Sequence, residues 1–329
     1  MALAATAAVV FPAPGLARAA LHESPPGQAL VVDANLQEAF QLPDVEDPTD
    51  VRNFVRAIGE HVPYRFAPDV VLLQEIRRGS AQNVADALGE AYGHRYAIAV
   101  DPGETPWVVD GARRDTTVVY DATTMRVEGD GGFVRTTNRE GEEKDNAHAL
   151  LEERRGGLRV PVISLHWAHR GDPVAHARDM VALLDAEYPS PSRRQVEVVA
   201  GDFNVKRCVG GPSWKTEELA CPQQAWYELF TAEHGFTDAV LSASPEEIPQ
   251  AQRDDVARID FLFARGAVLD AGSDLATKRE LGRHEQCAGV NDDYFKPGRG
   301  SQAPEPCRSL FYTDHRLVWG LVGMPTSPY

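Results

Sequence analysis

Six short groups of polar residues stand beside apolar segments of the chain, and together they carry metal ligands, proton carriers and amide donors. Carboxylate and amide oxygens bind hard divalent cations, and histidine exchanges protons near neutral pH. The groups are Asn35, Leu73-Gln74-Glu75, Leu165-His166-Trp167, Gly201-Asp202-Phe203-Asn204, Arg258-Ile259-Asp260-Phe261 and Thr313-Asp314-His315. Most of them follow a presumed strand directly. Open α/β sheets have their ligand sites at such strand ends, so we expect these groups to meet.

The apolar segments that must position these groups are typical of buried strands. Amphipathic helical patterns lie between several of them, and two of the helices begin at an acidic cap followed by proline, Asp47-Pro48 and Asp172-Pro173. The predicted strands cover residues 29–32, 70–73, 96–100, 116–120, 160–165, 196–200, 259–263 and 317–322. No fixed repeat and no linker separates two apolar cores. The alternation therefore predicts one layered α/β domain.

Composition places the chain among ordinary globular proteins. Its 329 residues are 43% hydrophobic and 25% charged, which fits neither a disordered nor a collagen-like chain. The formal net charge of −16 excludes a basic, histone-like binder of polyanions. We expect a leader at residues 1–19, a short linker at 20–28, one catalytic domain at 29–324 and a tail at 325–329.

The first residues have the features of a secretory leader. An apolar, alanine-rich stretch from Ala2 to Phe11 precedes Ala17-Arg18-Ala19, which has the small-residue pattern of a signal-peptidase site. We expect cleavage after Ala19 and a secreted mature protein. No Lys or Arg precedes Phe11, so a disordered arm is the alternative. No apolar run approaches the roughly 20 residues that a membrane-spanning helix needs.

An even number of cysteines suits an exported chain, because thiols pair in oxidising compartments. We expect structural disulfides rather than a zinc site, since no two cysteines are spaced as close ligand pairs. Four cysteines allow three pairings, and we prefer the two local ones. They join Cys208 to Cys221 and Cys287 to Cys307.

The order of the six polar groups resembles that of the endonuclease/exonuclease/phosphatase superfamily. This superfamily includes DNase I, apurinic endonucleases, neutral sphingomyelinases and inositol polyphosphate phosphatases. The resemblance covers roughly residues 29–322, and its G-D-F-N motif stands unaltered at Gly201 to Asn204. A secreted, bacterial-type member is expected. The resemblance implies a four-layer α/β sandwich, in which two packed mixed β-sheets are flanked by helices.

The resemblance also implies a role for each matching residue. Metal ligands would be Asn35, Glu75 and Asp314, with Mg²⁺ as the expected ion and Mn²⁺ or Ca²⁺ as alternatives. Asp202 would orient or deprotonate the attacking water, and Asn204 would donate to the phosphate. His315 would be held in one tautomer by Asp260 or by Asp314, and His166 would face the phosphate as a second histidine. The implied catalytic residues are thus His166, Asp202, Asn204, Asp260 and His315.

The sequence departs from the family pattern in two places. Gln37 stands where apurinic endonucleases carry an acidic metal ligand, which argues against that subclass. The strand at 116–120 lacks a glycine that is common in the family, although Arg114 before it suits a phosphate contact. Arg170, which follows His166, is a second candidate for substrate binding. A metal pair formed by His166 and His169 is a weaker alternative.

Basic residues cluster in the loops that should surround the site, which favours a phosphate-lined substrate. They are Arg77, Arg78, Arg113, Arg114, Arg170, Lys206 and Arg207. We therefore expect a monomeric, non-specific endonuclease that acts on DNA or RNA.

Three alternatives stay open. A phospholipase C of the sphingomyelinase kind would need an apolar hairpin, for which only Pro106-Trp107-Val108-Val109 is a candidate. A phosphatase of small esters could use the same catalytic groups. A catalytically silent binding module would have lost one of those groups, whereas all of them are present here.

Overall fold

The computed structural model describes residues 23–36, 49–76, 78–102, 108–109, 112–168, 171–189, 194–205, 224–243, 259–273, 315 and 317–324. Several predicted features lie outside these residues. They include the leader, Gln37, the Asp47-Pro48 helix start, Pro106 and Trp107, the basic residues Arg77, Arg170, Lys206 and Arg207, His169, Asp314 and the four cysteines with their pairing. Within the described residues, no helix is long and apolar enough to cross a membrane.

Fifteen strands form two mixed sheets in the described part of the chain. In chain order they are β1 (Gln28–Asn35), β2 (Val70–Gln74), β3 (Tyr96–Val100), β4 (Val108–Val109), β5 (Ala112–Arg114), β6 (Thr116–Asp121), β7 (Met125–Val127), β8 (Gly132–Thr137), β9 (Glu143–Glu153), β10 (Arg159–His166), β11 (Glu197–Asp202), β12 (Thr237–Asp238), β13 (Asp260–Arg265), β14 (Ala267–Ser273) and β15 (Val318–Gly323). All eight strands that the sequence predicts are present, with ends that differ by a few residues.

The first sheet has the strand order β14-β15-β1-β2-β6-β3. The second has the order β12-β13-β11-β10-β9-β5-β4, and β7 and β8 also pair with β9. Each sheet has a central parallel pair, β1 with β2 and β10 with β11. These two pairs matter for function because parallel neighbours end at the same edge.

The helices are α1 (Thr49–His61), α2 (Arg78–Tyr92), α3 (Pro173–Glu187), α4 (Gln224–Glu228) and α5 (Ala239–Ala243), with one π-helical turn at Leu229–Glu233. The start of α3 is as predicted. Asp172 caps it and accepts hydrogen bonds from the backbone N–H groups of Val174 and Ala175 at 3.0 and 3.2 Å. These bonds satisfy two of the donors that a helix start leaves unpaired.

Three apolar clusters account for the layers. Val31 and Leu72 of the first sheet pack with Val162 and Val198 of the second, in the space between the sheets. The opposite face of the first sheet is covered by α1 and α2, and that of the second by α3 and α4. Since every strand alternates its side chains between two faces, both sheets are buried on both sides. The predicted arrangement of two packed mixed sheets flanked by helices is confirmed.

The long strand β9 is the main element that the sequence did not predict. It has 11 residues and pairs with β5, β7, β8 and β10. Its first residues, Glu143 to Asn146, are polar, so they do not match the apolar pattern of a buried strand. Lys144, Asp145 and Asn146 are nevertheless buried, and their side chains contact polar groups, among them His166 and Arg114.

Candidate active site

The two central parallel strand pairs, β1 with β2 and β10 with β11, bring four predicted residues to the same edge of the sandwich. In the first sheet Asn35 is paired with Gln74, the residue before Glu75. In the second sheet His166 is paired with Asp202. The sheets face each other, so these strand ends meet across the interlayer space.

Asp202 is the centre of the group. Its Oδ2 atom lies 3.2 Å from Nδ2 of Asn35, 3.7 Å from Nε2 of His166 and 4.0 Å from Nε2 of His315. Asn35 also donates from Nδ2 to Oε1 of Glu75 at 3.3 Å. One buried carboxylate is therefore in reach of two imidazoles and of the amide that joins it to Glu75.

His315 is held by Asp260. Nδ1 of His315 lies 3.0 Å from Oδ1 of Asp260, and the side chain of His315 is 13% exposed. The carboxylate favours the tautomer with hydrogen on Nδ1 and leaves Nε2 directed to Asp202. Of the two partners that the sequence allowed for His315, Asp260 makes this contact, and Asp314 lies outside the described residues.

His166 has a carboxylate partner of its own. Its Nδ1 atom lies 3.1 Å from Oδ2 of Asp115, and its backbone N–H donates to Oδ1 of Asn146 at 2.7 Å. On the other side of the ring, Nε2 lies 2.7 Å from Nζ of Lys144. The site thus contains two His–Asp pairs, one on each side of Asp202.

Asp115 and Lys144 belong to a buried charged group that also includes Arg113. Burial opposes the ionisation of Asp115, but the positive charges of His166, Arg113 and Lys144 outweigh it and hold the pKa of this carboxyl well below its usual range. Nε of Arg113 lies 2.5 Å from Oδ2 of Asp115. Burial also lowers the pKa of Lys144, although Asp115 acts in the opposite direction. Asp115 is therefore an anion throughout the ordinary pH range.

The backbone at the strand ends is unusual. Glu75 and Asn204 have positive φ angles of 53° and 51°, which cost a residue other than glycine energy unless its surroundings enforce them. Gly201 has a φ of 143°, and a Cβ atom there would meet the backbone carbonyl of Leu165 on the paired strand. The φ angle of Gly201 and its close approach to Leu165 explain why the G-D-F-N motif begins with glycine.

The phenylalanine of the same motif anchors it to the core. Phe203 is fully buried, and its ring centroid lies 4.6 Å from that of Trp167 and 5.2 Å from that of Trp226. Trp167 and Trp226 are themselves buried. This anchor fixes the backbone at Phe203, and with it the positions of Asp202 before it and Asn204 after it.

Asn204 makes local contacts in this structure. Its backbone N–H donates to Oδ1 of Asp202 at 2.7 Å, and its Nδ2 donates to the carbonyl of Trp167 at 2.9 Å. The first bond is an Asx turn. Donation from Asn204 to a phosphate stays a prediction.

Arg114 is engaged away from the histidines. Its Nε donates to Oδ2 of Asp145 at 2.8 Å, and its guanidinium carbon lies 4.8 Å from the ring centroid of Phe133. Arg113, which was only one of the loop cations in the sequence, contacts Asp115 instead. The substrate-binding role of Arg114 stays a prediction.

A buried polar link between the sheets lies below the site. Nε2 of Gln74 donates to Oδ1 of Asp33 at 2.8 Å and to Oγ of Ser164 at 2.9 Å. Asp33 is completely buried, and this burial raises its pKa well above the usual range. In the described part of the chain, Oδ2 of Asp33 has no hydrogen-bond partner.

Sequence reasoning missed Asp33, Asp115 and Lys144. Asp115 directly precedes the predicted strand at 116–120, so its position at a strand end was a usable signal. Lys144 had no such signal, because β9 was not predicted.

The comparisons with known proteins agree with this geometry. The sequence model of the Endonuclease/Exonuclease/phosphatase family matches residues 34–276. The chain belongs to the endonuclease/exonuclease/phosphatase family. Members of this family are phosphoric ester hydrolases and are generally dependent on a divalent metal. No curated protein matches the sequence.

Solved structures of the endonuclease/exonuclease/phosphatase fold are similar over nearly the whole chain. The catalytic domain of human nocturnin with bound sulfate has 14% identity and a TM-score of 0.52, with 90% of this chain and 94% of that chain covered. A family protein from Bacteroides vulgatus has 14% identity and a TM-score of 0.53, with 90% and 99% covered. One from Leptotrichia buccalis has 12% identity and a TM-score of 0.53, with 89% and 99% covered. At these identities the likeness concerns the fold.

The donor atoms fit the divalent ion that the family implies. Ligand atoms of Glu75, His166 and Asp202 lie within 4.8 Å of one another, as do those of Asp202, Asp260 and His315. However, Nε2 of His166 faces the ammonium group of Lys144, and Nδ1 of His315 faces Asp260. The oxygen atoms of Glu75 and Asn35, together with Asp202, are the donors that suit a hard cation.

Proposed function

We propose that this protein is a Mg²⁺-dependent phosphodiesterase, and that its substrate is a nucleic acid that it cleaves internally without sequence specificity. The observation that carries the proposal is the arrangement of Asp202 between two imidazoles, each with its own carboxylate. Hydrolysis of a phosphodiester needs a base for water and groups that offset charge on both sides of phosphorus. The His166–Asp115 pair and the His315–Asp260 pair lie on the two sides of Asp202.

In the proposed reaction, Asp202 accepts a proton from the attacking water. The water oxygen then bonds to phosphorus, and the opposite P–O bond breaks with its electron pair on the leaving oxygen. His315 contacts the phosphate on one side of Asp202, and Asp260 holds its ring in place through Nδ1. His166 defines the other side, from which the leaving oxygen departs.

The metal ion would be held by Glu75 and Asn35, with Asp314 as a further ligand predicted from the sequence. When bound, Mg²⁺ offsets negative charge on the phosphate oxygens as the P–O bond breaks. The side chain of Glu75 is 18% exposed, so it is open to an entering ion.

The nucleic-acid substrate is supported by family membership and by the basic residues that lie close in sequence to the site residues. The predicted leader supports an extracellular location, which suits a non-specific nuclease. A small phosphate ester is the second candidate, because carboxylates lie against several of these cations. Nε of Arg78 lies 2.5 Å from Asp101, and Arg113 and Arg114 contact Asp115 and Asp145. This pairing weakens the positive field that a polyanion would encounter.

Nicking of supercoiled plasmid by the purified protein in Mg²⁺ tests the proposal. We expect relaxed and then linear DNA with the wild type, and intact plasmid in EDTA or with His315→Ala. His94→Ala is the matched control, since His94 also has an Asp partner, Asp121, but lies away from the site. If the wild type leaves the plasmid intact but hydrolyses a small phosphate ester, the substrate is the second candidate and not a nucleic acid. Activity that EDTA does not reduce would contradict the proposed dependence on Mg²⁺.

A further inference from the structure

Lys144 is a buried cation beside the site. The residue is 5% exposed, and its Nζ atom lies 2.7 Å from Nε2 of His166. Among the described residues, this imidazole nitrogen is the hydrogen-bond partner of the ammonium group, and no carboxylate forms an ion pair with it within 4.0 Å. An ammonium group has three N–H donors, and burying its charge is costly without a compensating anion. Asp115, Asp202 and Glu75 stabilise this charge without an ion pair within 4.0 Å in the described part of the chain, so N–H donors of Lys144 stay available to an anionic ligand.

The neighbours of His166 determine which nitrogen of its ring carries hydrogen. Nδ1 faces the carboxylate of Asp115, which only accepts hydrogen bonds, so Nδ1 must be the donor. Nε2 faces the ammonium of Lys144, which only donates, so Nε2 must accept. The donor on this side of Asp202 is Lys144.

Resting on the proposed function, we propose that Lys144 is a catalytic residue whose ammonium group donates to the leaving oxygen of the phosphodiester, and that His166 positions it. As the P–O bond breaks, the leaving oxygen keeps the electron pair and takes a proton from Lys144. Asp202 has meanwhile taken a proton from water, and its return to Lys144 through solvent restores both groups. The net reaction consumes one ester and one water.

A comparison of leaving groups tests this role. The two substrates are the p-nitrophenyl ester of thymidine 5′-phosphate, whose leaving phenolate is stable, and the dinucleotide thymidylyl-thymidine, whose leaving alkoxide needs stabilisation. In Lys144→Met we expect kcat to fall by about 100-fold or more with the dinucleotide, as for the loss of one charge-stabilising donor. With the p-nitrophenyl ester we expect a loss below about tenfold. Equal losses with the two substrates, or no loss with either, would overturn the inference.

Arg126→Met is the matched control, because it also removes one positive charge. Arg126 is bound to Glu152 near the other end of β9 and is exposed. The kcat of Arg126→Met should equal that of the wild type with both substrates. Removing one partner of a buried charged group can destabilise the fold, so Lys144→Gln, which keeps polar atoms at this position, serves as a second variant for the same comparison.

Binding of inorganic phosphate in EDTA gives a readout without turnover or metal. Phosphate should raise the melting temperature of the wild type and of Arg126→Met, and should not raise that of Lys144→Met. An equal rise in all three proteins would overturn the contact between Lys144 and phosphate. Turnover by the wild type tests the proposed function separately. If the wild type hydrolyses neither ester, the proposed function and this inference both fail.

Discussion

Oδ2 of Asp115 lies 3.1 Å from Nδ1 of His166, although 51 residues separate them in the chain. Asp115 follows β5 and His166 ends β10, and both pack against the unpredicted strand β9. The pair mirrors the one between Asp260 and His315 on the opposite side of Asp202. Each imidazole is therefore oriented by its own carboxylate.

Replacement of Asp115 by Asn should remove most turnover. Loss of the negative charge frees His166 to adopt the other tautomer and leaves Arg113 without its carboxylate. We expect kcat to fall by about 100-fold or more with KM little changed, as for removal of an acid–base group. Steady-state kinetics on the best substrate would measure both constants.

Asp121→Asn is the control for this variant, since Asp121 is also buried and also contacts a histidine, His94. Its kcat per folded molecule should remain near the wild-type value. Equal losses in the two variants would mean that Asp115 acts through stability alone.

Glu75→Gln should weaken the response to Mg²⁺. The side chain keeps its shape but loses the charge that a hard cation prefers. The Mg²⁺ concentration for half-maximal activity should rise by about tenfold or more. The increase in melting temperature with Mg²⁺ should shrink in parallel, because it depends on binding to the folded state. Glu60→Gln, on the exposed face of α1, should behave as the wild type. An unchanged Mg²⁺ response in Glu75→Gln would remove Glu75 from the metal site.

Asp69, which lies away from the candidate active site, should make the free energy of unfolding depend on pH. This carboxyl is fully buried and accepts hydrogen bonds from Ser24, from the Leu30 N–H and from Thr124. Burial raises the pKa of Asp69 to about 6 from its usual 3.8, although the hydrogen bonds oppose the rise. The folded state then holds its proton more tightly than the unfolded state. The stabilisation is fully present below about pH 4 and is lost as pH rises through about 6.

Urea unfolding of the wild type and Asp69→Asn between pH 4 and pH 7 would measure this effect. Asn cannot titrate, so the wild type should lose up to about 3 kcal/mol of unfolding free energy relative to the variant over this range. A difference that stays constant with pH would show that Asp69 does not titrate there.

Gly201→Ala should destabilise the strand pair that carries the site. Its φ of 143° disfavours any side chain, and the new Cβ would meet the carbonyl of Leu165. We expect a loss of about 2 kcal/mol or more in unfolding free energy, measured by urea denaturation. Gly59→Ala is the control, because a Cβ there meets nothing within 4 Å in α1, and it should stabilise slightly. Equal stability of the two variants would contradict the constraint at Gly201.

The sequence by itself determined the strands that end at the site and the residues that follow them. Val70 to Leu73 is an apolar run buried on both faces, so Glu75 shortly after it had to lie at a strand end. The same reasoning applies to Asp202 at the end of β11. Local pattern was sufficient because burial of an apolar strand forces its polar continuation to the edge of the sheet.

Only the tertiary structure decided the partners of these residues. The contacts of His166 with Asp115 and Lys144 depend on how β5, β9 and β10 are aligned, and no local pattern of polar residues specifies that alignment. Lys144 could not be predicted for the same reason. Its strand, β9, begins with polar residues, which do not match the apolar pattern of a buried strand. A buried strand or helix shows a regular repeat of apolar residues in the sequence. Two paired charges show no such repeat, because their interaction depends only on their distance in space.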